Sequence, residues 1–287
     1  MHTKDFFLVI LFLFNCLVSV GQSQSGESKN RLLSFPPEVV KDTSRLECIY
    51  DYHVKDTILK SWYRSEMVLL HGKHYSAYMD YQTYRYDSIL ATVDKTKLTW
   101  GESKRLQKAH GIFTTTNSLF SIIRDNYTNT MQVFDMVMID RFVYSDSVPD
   151  LKWALVDTTY EVCGYVCHKA TTHFRGRDWI AWYCDVPVNA GPWKFSGLPG
   201  LILAVYDTSK SQCFIANTIR KGNSAIVMKD RKEFKTTRER FNKALMEYNE
   251  NPAEMFERGG LMPTVENEEG DVNPPYRRLF FNSIELE

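Results

Sequence analysis

Short segments in which apolar and polar residues alternate, the pattern of a half-buried β-strand, dominate the chain. Between residues 46 and 54 every second residue is apolar, from Leu46 through Tyr50 to Val54. Further strand segments, joined by short polar connections, cover residues 61–70, 130–143, 153–159, 166–174, 179–186, 201–206 and 213–219. Sequential strands with short connections favour antiparallel pairing. The sequence therefore predicts a mainly β (α+β) fold, a curved antiparallel sheet or half-barrel with meander connectivity.

Helical periodicity is clear only late in the chain. Phe241, Leu245 and Tyr248 follow one another at helical spacing, which predicts one amphipathic helix packed on the sheet. Residues 75–91 carry five tyrosines whose spacing fits no single period. We interpret these as aromatic packing across strands, with a ligand-stacking platform as the alternative. Residues 98–120 show no clear pattern.

The N-terminus has the pattern of an export signal. Lys4 precedes a mainly apolar run over residues 6–20, and a polar run follows over residues 22–30. Because a bilayer span takes roughly 20 apolar residues, we predict a cleaved signal peptide over residues 1–21. An uncleaved anchor and a lipoprotein modified at Cys16 are the alternatives. Cleavage would leave no transmembrane segment and a protein in the periplasm or associated with the outer membrane.

Composition divides the rest of the chain. We predict a flexible leader over residues 22–43, an antiparallel β domain over residues 44–228, and a helix that packs on it within residues 229–258. Residues 259–275 are acidic and rich in Gly and Pro, which predicts a mobile loop. Apolar residues within 276–287 predict a C-terminal tail that docks onto the main body.

The charge balance argues against nucleic acid as a partner. The chain has 35 Lys and Arg against 35 Asp and Glu. A neutral chain lacks the broad positive field that gives affinity for a phosphate backbone. We therefore expect no nucleic-acid partner.

Export changes the interpretation of the cysteines, because disulfides persist outside the reducing cytosol. Five remain after the signal peptide, an odd number. If a hairpin turns at residues 175–178, Phe174 lies opposite Trp179, and Cys184 lies diagonal to Cys167. A disulfide between Cys167 and Cys184 is then possible only with a small register shift. Buried free thiols are the alternative.

A conspicuous segment, residues 191–203, encloses two aromatic residues between Gly and Pro turns. One interpretation is a structural plug in the mouth of the curved sheet. The other is a rim that recognises a hydrophobic ligand or partner. Nearby arginines could add an anion-binding or cation–π contact, or could simply be exposed in a turn. The candidate rim residues are Trp193, Phe195, Gly197, Leu198, Pro199, Gly200, Arg175, Arg177 and Trp182.

Motifs for catalysis or metal binding are weak. The sequence has no GxSxG elbow, phosphate loop or HExxH helix. His71 and His74 flank a turn, and His168 follows Cys167, but neither group has convincing ligand spacing. We therefore predict no catalytic residue, no metal ligand and no cofactor.

A family resemblance rests on several literal strings. The chain resembles the GLPGLI family, whose name is spelled by residues 197–202. The resemblance implies an exported protein of Bacteroidetes-type bacteria, often encoded near outer-membrane transporters, with no established activity. Cys163 and Cys184 depart from the family pattern. The strings are Trp153, Gly164-Tyr165-Val166-Cys167, Lys169-Ala170, Phe174-Arg175-Gly176-Arg177, Ala181-Trp182-Tyr183 and residues 191–203.

Three functional hypotheses follow. The leading one is a non-catalytic exported binding or carrier protein for an apolar or amphipathic ligand, or an accessory of an outer-membrane transporter or other envelope protein. The second is a metal-handling envelope protein. The third is a hydrolase with a dispersed site, which requires a concave polar pocket with convergent titratable groups.

Overall fold

The computed structural model describes residues 28–56, 61–112, 120–252, 254 and 282–286. The predicted signal peptide and acidic loop lie outside these residues. Within the described part of the chain, no helix is long and apolar enough to cross a membrane.

Thirteen strands form one sheet, in the order β13-β6-β5-β4-β3-β2-β1-β11-β10-β9-β8-β7, with β12 paired to the first part of β1. The strands are β1 (Glu38–Lys55), β2 (Trp62–Gly72), β3 (Tyr75–Asp80), β4 (Ser121–Asp125), β5 (Thr130–Val137), β6 (Asp140–Ser147), β7 (Ala154–Val162), β8 (Tyr165–Phe174), β9 (Arg177–Cys184), β10 (Leu201–Asp207), β11 (Gln212–Lys221), β12 (Ala225–Lys229) and β13 (Phe234–Lys235).

Two antiparallel meanders make up most of the sheet. Strands β1 to β6 form one meander of consecutively paired strands, and β7 to β11 form the other. The pairing of β1 with β11 joins the two meanders, and the short β13 runs parallel to β6. The predicted mainly β fold with antiparallel meander strands is confirmed. Part of the predicted flexible leader is strand, because β1 begins at Glu38.

The two faces of the sheet carry two cores of different size. Tyr50 and Tyr78 belong to the large core, whereas the adjacent Ile49 and Ala77 belong to a small core on the other face. This division follows from the two-residue period of a strand. The small core packs against helical residues Tyr81 and Tyr84 and is therefore partly roofed by a helix.

Two helices were not predicted. The structure has α1 (Tyr81–Leu90) and α2 (Trp100–Ala109). Tyr75 and Tyr78 lie on β3, but the other three tyrosines of residues 75–91 lie on α1 and not on a strand, because the side chain of Asp80 accepts a hydrogen bond from the Thr83 amide at 2.7 Å and begins the helix. A capping box of Thr99 and Glu102 begins α2. Side-chain caps thus decide two regions in which apolar periodicity is weak.

The predicted late helix is confirmed as α3 (Arg238–Glu250), which begins at the N-cap residue Thr237. Its buried Phe241 lies against two aromatic side chains of β6. The ring centroids are 5.8 Å from Phe142 and 5.7 Å from Tyr144. These contacts hold the helix on the large core.

The predicted register of the hairpin between β8 and β9 was wrong. Phe174 pairs with Arg177, so the loop contains only Arg175 and Gly176. Both loop residues have positive φ, 51° and 72°, the conformation of a type I′ turn. The tighter turn moves Cys184 directly opposite Cys167.

Candidate functional site

The two aromatic residues of the conspicuous segment lie inside the large core. Trp193 is 8% exposed and Phe195 is 1% exposed. Their ring centroids are 5.3 Å apart, and Phe195 lies 4.7 Å from Trp179 of β9. Leu198 is also buried, whereas Gly197 and Pro199 are exposed. Only the turn residues of this segment therefore face solvent.

Close backbone packing explains two of the glycines. A Cβ atom at Gly200 would lie 1.8 Å from the carbonyl oxygen of Cys184, so no side chain fits. Gly197 has a φ of 91° and lies beside the indole of Trp153. That indole nitrogen donates to the carbonyl oxygen of Ser196 at 2.8 Å. The turn is thus fastened between the end of β9 and the start of β7.

A buried ion network surrounds Lys194, between the two aromatic residues. Its side chain is fully buried, and Nζ lies 2.6 Å from Oε1 of Glu285 and 3.1 Å from Oδ2 of Asp146. Arg238 of α3 binds the other oxygen of Glu285 at 2.9 Å. Burial alone would raise the pKa of Glu285, but Lys194, Arg238 and Arg175 lower it below its ordinary value. Buried charges need such partners.

The two arginines of the β8–β9 turn bind the chain itself. Arg177 pairs with Asp207 at 2.9 Å, and its Nε donates to the carbonyl oxygen of Ile284 at 3.1 Å. Arg175 lies over the ring of Phe174, and its carbonyl oxygen accepts from the Leu286 amide at 3.0 Å. The described tail residues thus cover this turn, and the guanidinium groups contact internal carboxylates.

Trp182 lies on β9 and is 9% exposed. Its indole nitrogen donates to the hydroxyl of Tyr206 at 3.0 Å, and its ring lies 5.4 Å from that of Tyr160. Trp182 therefore packs mainly against aromatic residues of neighbouring strands.

The histidines considered as metal ligands have other contacts. Nδ1 of His71 lies 2.8 Å from the hydroxyl of Ser76, and the ring of His74 stacks on Tyr127 at 4.8 Å. His168 faces Asp185 at 3.6 Å. In the described ranges, no three His, Cys, Asp or Glu side chains gather closely enough to hold a metal ion.

A cleft of about 500 Å³ opens beside α1, away from the conspicuous segment. Residues of α1 and of the chain around β12 contribute to its walls. Phe134 and Met136 of β5 are half-buried in it, so apolar surface remains open there. A cleft of this volume is in the usual range for small-molecule sites. The other apolar lining residues are Leu70, Met79, Ala91, Phe120, Ile123, Phe142, Ala225 and Val227.

The charged residues around this cleft leave an excess of guanidinium groups at one end. Lys229 pairs with Asp87 at 2.6 Å, and Lys95 pairs with Glu38 at 3.0 Å. Arg141 and Arg231 have no ion-pair partner within 4 Å among the described residues. Burial lowers the pKa of the Arg141 guanidinium, the nearby charge of Arg231 lowers it further, and Glu233 partly offsets this. Two cations and one carboxylate thus share this end.

Asp135 lies between Phe134 and Met136 on β5, but its side chain projects to the opposite face of the strand, on which Val133 and Val137 belong to the large core. Burial raises the pKa of its carboxyl to about 7, while a hydrogen bond from the Met136 amide at 2.7 Å opposes the shift. This carboxyl therefore changes charge near neutral pH.

Sequence reasoning missed the cleft and its residues. Phe134, Met136 and Arg141 lie in the predicted strand segment over residues 130–143, and nothing in that pattern marks a cavity. The signal for the Lys194 network was present, since a lysine between Trp193 and Phe195 in an apolar segment requires a buried carboxylate. The sequence did not indicate that Glu285 supplies it.

Comparison with known proteins finds a match to a family model over a short part of the chain. Residues 175–204 match a family described as "Protein of unknown function (Porph_ging)". No curated protein matches the chain. The structure of PNGF-II, in two crystal forms, is similar with a TM-score of 0.47 and 12% sequence identity. The similarity covers 70% of this chain and 33% or 32% of PNGF-II, so this chain spans about a third of that protein.

Proposed function

We propose that this chain is a non-catalytic, exported binding or carrier protein whose cleft holds an amphipathic ligand with an anionic end. One observation carries the proposal: the cleft combines an apolar wall with two guanidinium groups that have no ion-pair partner among the described residues. An apolar body would cover Phe134 and Met136. A carboxylate or phosphate end would then pair with Arg141 and Arg231.

Membership of the GLPGLI family is also our proposal. It is supported by the literal string at residues 197–202, which lies inside the matched region. The apolar run near the N-terminus supports export, with the periplasm or outer membrane as the destination. An accessory role beside an outer-membrane transporter is consistent with this placement.

Isothermal titration calorimetry with two probes of equal chain length tests the proposal. Dodecanoate has a carboxylate end, and dodecanol has a neutral end. Both are titrated below their aggregation concentrations into the full chain without its predicted signal peptide. We expect dodecanoate to bind more tightly, because only its end can pair with the guanidinium groups. If neither probe binds, the proposal is overturned.

Variants locate the site. Met136→Trp should fill the cleft and abolish binding, whereas Ile139→Trp, at a residue 62% exposed and outside the cleft, should leave binding unchanged. Arg141→Gln should weaken dodecanoate and leave dodecanol unaffected. Lys243→Gln is the control for charge, since that side chain is 69% exposed on α3. Equal losses for both probes in Arg141→Gln would contradict the role of its charge.

A further inference from the structure

Cys167 of β8 and Cys184 of β9 are direct partners across two antiparallel strands. Residues opposite each other in such a pair project to the same face of the sheet. Both side chains belong to the large core, where Cys167 is 0% and Cys184 is 1% exposed. Both thiols are free in this structure.

The position of this pair in the ladder suits a covalent bond. A two-residue type I′ turn makes Phe174 and Arg177 a hydrogen-bonded pair, and the two kinds of pair alternate from there. Cys167 and Cys184 form the eighth pair from the turn, which is a non-hydrogen-bonded pair. The Cα atoms of such pairs lie about 4.5 Å apart, within the range that a disulfide spans.

We propose that Cys167 and Cys184 form a structural disulfide bond between β8 and β9 when the protein meets a disulfide oxidant. The proposal does not depend on the ligand or on the cleft. The register, the common face and the ladder position together put the two side chains next to each other, with Cα atoms at a separation that a disulfide spans.

The chemistry balances with glutathione disulfide as the oxidant. One cysteine thiolate attacks a sulfur of glutathione disulfide, forms a mixed disulfide and releases the first glutathione thiolate. The second cysteine thiolate attacks the protein sulfur of that mixed disulfide and releases the second glutathione. The two cysteines lose two electrons and two protons, and one glutathione disulfide becomes two glutathione thiols.

Burial and the pairing environment favour a permanent bond over a reactive one. Burial, together with the neighbouring Cys184 and Cys163, raises the pKa of Cys167 to about 11, against the opposing effect of a hydrogen bond from the Val162 amide. Thiols of this kind exchange slowly in the folded protein. We therefore expect the bond to form during folding and to persist afterwards.

Cys48 also lies close enough to Cys184 for Cys184 to affect the pKa of Cys48, but trypsin releases Cys48 in a separate peptide, residues 46–55. Cys163 is the competing partner that peptide mass does not separate from Cys167. It lies in the turn between β7 and β8 with a φ of 53°, half-buried and close enough to affect the pKa of Cys167. Trypsin releases Cys163 and Cys167 together in residues 153–169, and releases Cys184 in residues 178–194. Peptide mass alone thus shows a link to Cys184 without showing which cysteine makes it.

The test is disulfide mapping of the refolded full chain. The wild type, Cys163→Ala and Cys167→Ala are refolded in glutathione and glutathione disulfide, alkylated with N-ethylmaleimide and digested without reduction. We expect the two peptides to be joined, two hydrogens lighter than their sum, in the wild type and in Cys163→Ala. In Cys167→Ala they should be separate.

Two results would overturn the proposal. One is alkylation of both Cys167 and Cys184 in the folded wild type. The other is a joined peptide pair that survives in Cys167→Ala and disappears in Cys163→Ala. If Cys167→Ala does not fold, the wild type and Cys163→Ala still test the proposal. In Cys163→Ala, residues 153–169 contain only Cys167, so a link between this peptide and residues 178–194 joins Cys167 to Cys184.

Discussion

Nζ of Lys194 lies 2.6 Å from Oε1 of Glu285, a residue 91 positions later in the chain. The lysine side chain is fully buried, and the carboxylate is 7% exposed. This contact joins the segment between β9 and β10 to the C-terminal tail. A buried ion pair is most sensitive to the loss of one partner, because the remaining charge is left without solvent.

Lys194→Met should therefore lower the free energy of unfolding by about 3–5 kcal/mol, measured by urea denaturation. Two carboxylates, Asp146 and Glu285, lose their shared cation. Lys243→Met removes an exposed ion pair on α3 and should change stability by less than about 1 kcal/mol. Comparable effects of the two variants would show that the network adds little.

The same tail predicts sensitivity to acid. Despite burial, Lys194, Arg238 and Arg175 hold the pKa of Glu285 below its ordinary 4.5. A carboxyl with a lowered folded pKa stabilises the protein above 4.5, and this contribution is lost as pH falls through the folded value. Stability should thus decline as the pH falls below 4.5, and Glu285→Gln should show a smaller decline. An identical pH profile for both proteins would contradict this.

Asp135 should have the opposite pH dependence. Its folded pKa of about 7 exceeds the ordinary 3.8, so ionisation is easier in the unfolded chain and stability falls as pH rises between these values. Asp135→Asn keeps an acceptor for the Met136 amide. It should raise the free energy of unfolding near pH 8 by on the order of 2 kcal/mol, discounted because the residue is only partly buried. If Asp135→Asn raises the free energy of unfolding no more at pH 8 than at pH 5, the folded pKa of Asp135 is ordinary and the prediction is wrong.

Polar replacement separates a packing role from a recognition role at the conspicuous segment. Phe195 is 1% exposed and contacts Trp179, so Phe195→Ser should lower stability by at least the roughly 3–5 kcal/mol of a buried Phe-to-Ala change. Leu155→Ser, at a residue 63% exposed, should cost little. Circular dichroism during thermal unfolding measures both. A folded Phe195→Ser variant that had lost partner binding would instead support a recognition rim.

Alanine substitutions at two glycines distinguish the cost of a steric clash from the cost of an unfavourable backbone conformation. Gly200→Ala places a Cβ against the Cys184 carbonyl and should cost more than about 3 kcal/mol, because that backbone must move. Gly164 has a φ of 79°, but a Cβ added there would meet no atom within 4 Å, so Gly164→Ala should cost only about 1 kcal/mol. Urea denaturation of both variants checks the order. A smaller loss of stability in Gly200→Ala than in Gly164→Ala would contradict the close approach of Gly200 to the Cys184 carbonyl.

The sequence by itself determined the fold class. Alternation over residues such as Leu46 to Val54 identified the strands because a sheet with one buried face imposes a two-residue period. Helical spacing of Phe241, Leu245 and Tyr248 likewise identified α3. The pattern did not find α1 and α2, since their boundaries depend on side-chain caps at Asp80 and Thr99.

Only the tertiary structure decided what the candidate residues contact. Hairpin register depends on the turn conformation, and a two-residue loop at Arg175 and Gly176 moved Cys184 opposite Cys167. Glu285 pairs with Lys194 across a separation of 91 residues, which no local pattern encodes. The cleft beside α1 exists because separate elements leave a space between them. Long-range packing therefore assigns partners and cavities, whereas local periodicity assigns the strands.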